Sequence, residues 1–192
     1  MRNDAMAGLP GDVLDVVAGI HSLFKDRGLT LSAAESCTGG LISHYITQLP
    51  GASIFFDAGV VSYTIKAKER ILGVPSAVIG ASGMVSEETA REMAKGAAGL
   101  TGSDFALSTT GNLGPEALEG KEVGLVYLGV FCRKNSAFSK VKRLMLSGGR
   151  AANKKEAALE ALRFLLEQAR SQASYAEGKK EKESGKGKKA LF

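Results

Sequence analysis

The sequence predicts an α/β fold, a three-layer α/β/α sandwich on a mixed, mostly parallel sheet with one antiparallel strand. Three observations carry this. Segments with helical periodicity alternate with short strand-like runs through the first two-thirds of the chain, as parallel crossover units require. Two strand-like runs then follow one another directly, around Val123–Cys132 and Phe138–Leu146, as in a hairpin. Val123–Cys132 is also almost continuously apolar, the pattern of a strand covered on both faces. The length of 192 residues suits one domain. It is expected over residues 11–176, between a frayed start (1–10) and a Lys-rich tail (177–192).

Taken in order, Asp12 is placed to cap a first helix. Val13, Val16, Val17, Ile20, Leu23 and Phe24 recur along it at helical spacing, and Gly28 ends it. His21 lies beside that apolar stripe and reads as structural. Thr30–Ala34 reads as a strand. Leu41, Ile42, Tyr45, Ile46 and Leu49 mark the next helix, which Pro50-Gly51 stops. Phe55–Thr64 is the second strand, and Lys66–Leu72 a short helix closed by Gly73. Ser86, with Glu87 and Glu88 behind it, is an N-cap followed by acids that suit the helix dipole. Met93 lies on the apolar face of that helix, with the core. Asp104–Thr110 is strand-like, and Gly111–Glu122 is a Gly-rich loop. Phe138–Leu146 alternates imperfectly, as an edge strand does. A final helix begins after Ser147-Gly148-Gly149-Arg150 and fades near Ala176. From Gly178 onward the chain has no apolar face and reads as disordered.

Composition excludes several function classes. No apolar run approaches the roughly 18 residues of a membrane span. No apolar segment follows basic residues near the start, so a cytoplasmic protein without a secretory signal is expected. Cys37 and Cys132 form no CxxC, and two cysteines with two scattered histidines suggest neither a disulfide framework nor a zinc site. No metal or cofactor is expected. The net charge of +5 is concentrated at one end, because Gly178–Phe192 carries six lysines against two glutamates. That tail reads as solubilising, and a nucleic-acid role through it would weaken steeply with salt.

The chemistry concentrates in Ser32–Gly40, Ser-Ala-Ala-Glu-Ser-Cys-Thr-Gly-Gly. A strand running through small residues into a helix N-terminus leaves unpaired N–H groups that suit an anion. Glycines let the backbone approach a ligand closely. The stretch is neither a P-loop, a dinucleotide fingerprint nor a GxSxG elbow. By pattern alone it is equally well a plain strand-to-helix turn, with Ser36 and Thr38 competing to cap the helix. A Ser36–His44 pair is conceivable, but no acid stands at a triad spacing.

Ala34-Glu35-Ser36-Cys37-Thr38-Gly39-Gly40 resembles the AESCTGG signature of the CinA C-terminal domain family. Further blocks resemble that family in the same order: Leu49–Ser53, Gly59–Thr64 with Ala67-Lys68 and Leu72–Val74, Gly83–Glu88, Thr110–Pro115 with Val123-Gly124, and Ser147–Arg150. The resemblance covers roughly residues 11–170. It implies an α/β/α sandwich and hydrolysis of the nicotinamide amide of NMN to nicotinate mononucleotide and ammonia. It also implies a small-molecule pyridine nucleotide as partner, a homo-oligomer, and a form standing apart from the second nucleotide-processing domain of many members.

By position in the matched motif, Ser36 is the expected nucleophile, and Tyr63 and Lys68 are its expected activating groups. A lysine acts as a base only when burial or nearby positive charge depresses its pKa. Glu35 is a candidate to orient Lys68. Substrate contacts are expected from Cys37, Thr38, Gly39 and Gly40, from Thr110 and Gly111, and from Arg150 through a bidentate phosphate contact. Cys37 is the rival nucleophile, since thiolate is intrinsically stronger. The chain also departs from the family pattern. Ile65 stands for the usual Asn, Lys66 for a frequent acid, Glu116-Ala117-Leu118 for Asp-Gly-Gly in a loop about one residue shorter, and Gly149 for an Asp. These departures motivate the alternative, a CinA-like protein that binds a pyridine nucleotide without turnover.

Overall fold

The structure, a computed structural model, describes residues 9–187, with side chains through residue 172. Its elements are α1 (Gly11–Asp26), β1 (Leu31–Glu35), α2 (Leu41–Thr47), β2 (Phe56–Val61), α3 (Ile65–Leu72), α4 (Ser76–Ser82), α5 (Glu87–Thr101), β3 (Phe105–Gly111), β4 (Leu125–Cys132), β5 (Ser139–Met145) and α6 (Arg150–Gly187). A single 3₁₀ turn, Ala52–Ile54, precedes β2.

The five strands lie in the order β2-β1-β3-β4-β5. β1 is parallel to both β2 and β3, whereas β4 is antiparallel to β3 and to β5. β4 is therefore the one strand running against the rest. It is interior and buried along most of its length, as its apolar run implies. β5, with its broken alternation, forms one edge.

Helices α1, α2 and α6 cover one face around Val17, Ile20, Phe24, Leu107, Leu128 and Leu162. α3, α4 and α5 cover the other around Leu72, Ile79, Met93 and Ala97. His21 belongs to the first core: it is buried, packs edge-on against Phe55 and hydrogen-bonds the Ile46 carbonyl at 2.9 Å. The small residues of α5 let neighbouring backbones approach closely. A methyl at Gly96 would overlap the Leu72 carbonyl, so this glycine sets how near α3 lies to α5.

Several local expectations need correcting. Asp12 sits inside the first turn of α1, with Pro10 at the N-cap. β2 ends at Val61, because Thr64 turns to cap α3 through its side chain. α4 has no counterpart in the sequence reading: seven residues after Pro75 are too short to show a period. α6 continues past Ala176 to Gly187. Lys and Glu are good helix formers, and extending an existing helix avoids the cost of nucleation. Residues 1–8 and 188–192 lie outside the described residues. Among the described residues, no helix is long and apolar enough to cross a membrane.

Candidate active site

Successive residues of a strand point to opposite faces, and this alternation separates the tasks of Glu35 and Ser36. Glu35, at the end of β1, is fully buried and turns toward α2. Its carboxylate accepts from the backbone N–H groups of Gly40 (2.9 Å), Ile42 (3.1 Å) and Ser43 (2.9 Å), from the Ser43 hydroxyl (2.7 Å) and from the Thr38 hydroxyl (2.8 Å). The N-terminus of α2 is thus filled by an internal anion. This corrects two expectations: Ser36 and Thr38 do not cap the helix, and the N–H groups at its start are not open to a ligand. Gly40 holds the N-cap position with φ +93°, which glycine adopts without strain. Glu35 accordingly organises the turn and makes no hydrogen bond to Lys68.

Ser36 faces the other side, where α3 brings Lys68. The Lys68 side chain is fully buried, and its Nζ donates to Ser36 Oγ at 2.8 Å and to the Ser62 carbonyl at 2.7 Å. Burial lowers the Lys68 pKa to about 8, with the nearby Glu119 charge opposing the shift. An amine with a pKa in that range is about half neutral near pH 8, and its neutral form has a lone pair to take the serine proton.

The thiol of Cys37 is buried, and desolvation pushes its pKa up to about 12. It is a thiol at neutral pH and lacks the thiolate a sulfur nucleophile needs. The exposed His44 stacks obliquely on Tyr45, with ring centroids 5.9 Å apart.

Ser36 opens into a cavity of about 470 Å³. Ser36, Cys37 and Tyr63 form one wall, Met84 and Val85 a second, and residues 110–118 a third, with Arg150 at the mouth. Of the expected substrate contacts, Cys37, Thr110, Gly111 and Arg150 line this space. Thr38, Gly39 and Gly40 do not, because their donors are used internally. The Thr38 hydroxyl lies on Glu35 and Thr109, the Gly39 N–H donates to the Ser36 carbonyl, and the Gly40 N–H goes to Glu35. Tyr63 is half exposed, and its hydroxyl accepts from Arg150 at 2.6 Å. The second arm of the Arg150 guanidinium donates to the Gly114 carbonyl. Arg150 therefore bridges two loops at the cavity mouth. Met84 and Val85 carry no polar side chain, and only their place in the Gly83–Glu88 block singled them out in the sequence. Among the described residues, no group of His, Cys, Asp and Glu side chains could hold a metal ion.

A family model, the CinA C-terminal domain, matches residues 14–169. A CinA-like protein of Geobacter sulfurreducens is 46% identical over 147 residues, covering 76% of this chain but only 35% of that protein. The chain thus spans about a third of the length of such curated relatives. Among solved structures, the competence/damage inducible protein CihA of Agrobacterium tumefaciens superposes with a TM-score of 0.78 at 36% identity, covering 82% of this chain and 96% of that one. A competence-damaged protein (CinA) superfamily protein of Klebsiella pneumoniae superposes with a TM-score of 0.79 at 28% identity, over 84% and 99%. The match extends over most of the chain and over the same α/β sheet architecture, so this chain belongs to the CinA C-terminal domain family.

Proposed function

We propose that the chain is an amidohydrolase that cleaves the carboxamide C–N bond of a pyridine nucleotide, NMN being the first candidate, through a Ser36–Lys68 pair. The observation that carries this reading is the 2.8 Å contact between Ser36 Oγ and the Nζ of a fully buried Lys68. A serine hydroxyl is inert near neutral pH without a base, and a desolvated lysine supplies one.

In this reading neutral Lys68 takes the Ser36 proton as Oγ attacks the carboxamide carbon. The N–H of Cys37, which engages no backbone carbonyl among the described residues, is the backbone donor assigned to the resulting oxyanion. Collapse breaks the C–N bond, and the Lys68 ammonium protonates the departing nitrogen, which leaves as ammonia. The acyl ester on Ser36 is then attacked by water. Lys68 takes the water's proton and returns it to Oγ, releasing the carboxylic acid. Arg150, with a guanidinium at the cavity mouth, is the residue suited to an anionic phosphate.

The test is ammonia release from NMN by the purified chain beside Ser36→Ala. Release that vanishes in the variant is expected. Binding of NMN by the folded wild-type chain without release would replace the enzyme reading by the binding-only one.

A further inference from the structure

The wall of the cavity opposite Ser36 is held by two side chains that do not line it. The loop between β3 and β4 doubles back in a tight turn at residues 118–121, closed by the Lys121 N–H donating to the Leu118 carbonyl at 2.9 Å. Its central residues, Glu119 (φ +56°) and Gly120 (φ +68°), are both left-handed, as a type I′ hairpin turn requires. Glycine suits that geometry, whereas a glutamate there is strained. Among non-glycine residues Glu119 alone has a positive φ in the described chain. Strain of this kind points to a task for the side chain.

The contacts supply that task. The Glu119 carboxylate accepts from the backbone N–H groups of Met84 (3.0 Å) and Val85 (3.2 Å). Lys121 Nζ donates to the Ser82 carbonyl at 2.7 Å and to the Val85 carbonyl. One acid and one base thus grip both donors and acceptors of a single turn between α4 and α5. Gly83 completes the fit, since a β-carbon there would lie 2.6 Å from the Glu119 carboxylate. Met84 and Val85 form one side of the cavity, and Glu116, Ala117 and Leu118, just before the gripping pair, form the facing side.

We propose that Glu119 and Lys121 are positioning residues that clasp the β3–β4 loop onto the α4–α5 turn and so fix the width of the cleft that receives the substrate. The inference rests on the amidohydrolase reading for its kinetic consequences, but the clasp itself can be tested without turnover. Glu119 has a second effect through space. Its charge favours protonated Lys68, so removing it lets the Lys68 pKa fall further.

Glu119→Gly discriminates well, because glycine relieves the backbone while deleting the carboxylate. The full chain carrying it is expected to keep its thermal midpoint. Hydrogen exchange at the Met84 and Val85 amides should accelerate about tenfold, and KM for NMN should rise by a similar factor with kcat less affected. Glu119→Gln should move the acid limb of kcat/KM to lower pH, which a merely structural contact would not do. Lys121→Met, which removes the other half of the clasp, should also raise KM. Unchanged exchange at Met84 and Val85 overturns the proposal. So does faster exchange with unchanged KM, because the clasp would then hold the fold and not the cleft. If the wild-type chain releases no ammonia, the functional reading has failed. The clasp is then judged on amide exchange and on NMN affinity in Glu119→Gly: weaker binding with faster exchange supports it, and either one unchanged overturns it.

Discussion

Lys68 Nζ and Ser36 Oγ lie 2.8 Å apart although 32 residues separate them in the chain. The parallel pairing of β1 with β2 brings them together. It places the start of α3 beside the end of β1, and α3 then directs Lys68 inward one turn after its Thr64 cap. The two groups depend on each other: buried Lys68 needs polar partners, and Ser36, as the proposed nucleophile, needs a base.

Replacing Lys68 should separate its chemistry from its burial. Lys68→Met is expected to lower kcat by about 10³-fold while leaving thermal stability unchanged or raised, since an apolar side chain suits a fully buried position. Lys68→Arg should be equally inactive, because guanidinium does not give up its proton near neutral pH. An active Lys68→Arg enzyme would refute the proposed base.

The pH dependence follows from the direction of the Lys68 shift. With a folded-state pKa lowered to about 8, kcat/KM should rise with pH through that value and level off above it. Stability should move the same way. Between about pH 8 and the ordinary lysine value near 10.5, the unfolded chain binds more protons at this position than the folded one, so the Lys68 contribution to unfolding free energy increases with pH. Rate profiles and urea melts of wild type against Lys68→Met check both signs. A flat rate profile from pH 6.5 to 9 is the result that would count against a titrating lysine.

Cys37 should prove dispensable as a nucleophile. Burial pushes its thiol up to about 12, so Cys37→Ala is expected to keep activity within a few-fold of wild type. Iodoacetamide should label it far more slowly in the folded chain than in urea, as read by mass spectrometry. Inactivation in step with labelling of the native protein would reverse the assignment.

Glu35→Gln should be among the costlier single changes. The carboxylate accepts from three backbone N–H groups and two hydroxyls, and an amide would point its own donors at some of them. A loss of about 2–4 kcal/mol is expected in denaturant unfolding. A loss below about 0.5 kcal/mol would show that Glu35 does not organise the turn.

Arg150 and Tyr63 test the mouth of the cavity. Arg150→Lys cannot reproduce the fork that reaches both Gly114 and Tyr63, and should raise KM for NMN about tenfold with little change in kcat. Tyr63→Phe loses only the acceptor for one arm of Arg150 and should change KM less. A kcat collapse in Tyr63→Phe would instead place the phenol in the chemistry.

The layer architecture was legible in the chain. Apolar periodicity is a local property, so α1, α5, β4 and the paired late strands could be read one segment at a time. The stretch around Ser36 was legible too, but by pattern alone it read equally well as a plain strand-to-helix turn, and only the resemblance to AESCTGG singled out Ser36. α4 was not, because seven residues carry too little period.

The sequence by itself determined most of the elements, that the sheet carries one reversed strand, and which short stretch holds the nucleophile candidate. Only the tertiary structure decided how the polar residues of that stretch divide their work. Glu35 and Ser36 are neighbours in sequence, but the strand pleat sends one under α2 and the other to α3. The start of α2 is therefore filled by the protein's own carboxylate. In the same way, the clasp of Glu119 and Lys121 on residues 82–85 joins segments more than 30 residues apart. Partner choice at that distance depends on how helices and loops pack on the sheet, and no local pattern encodes it.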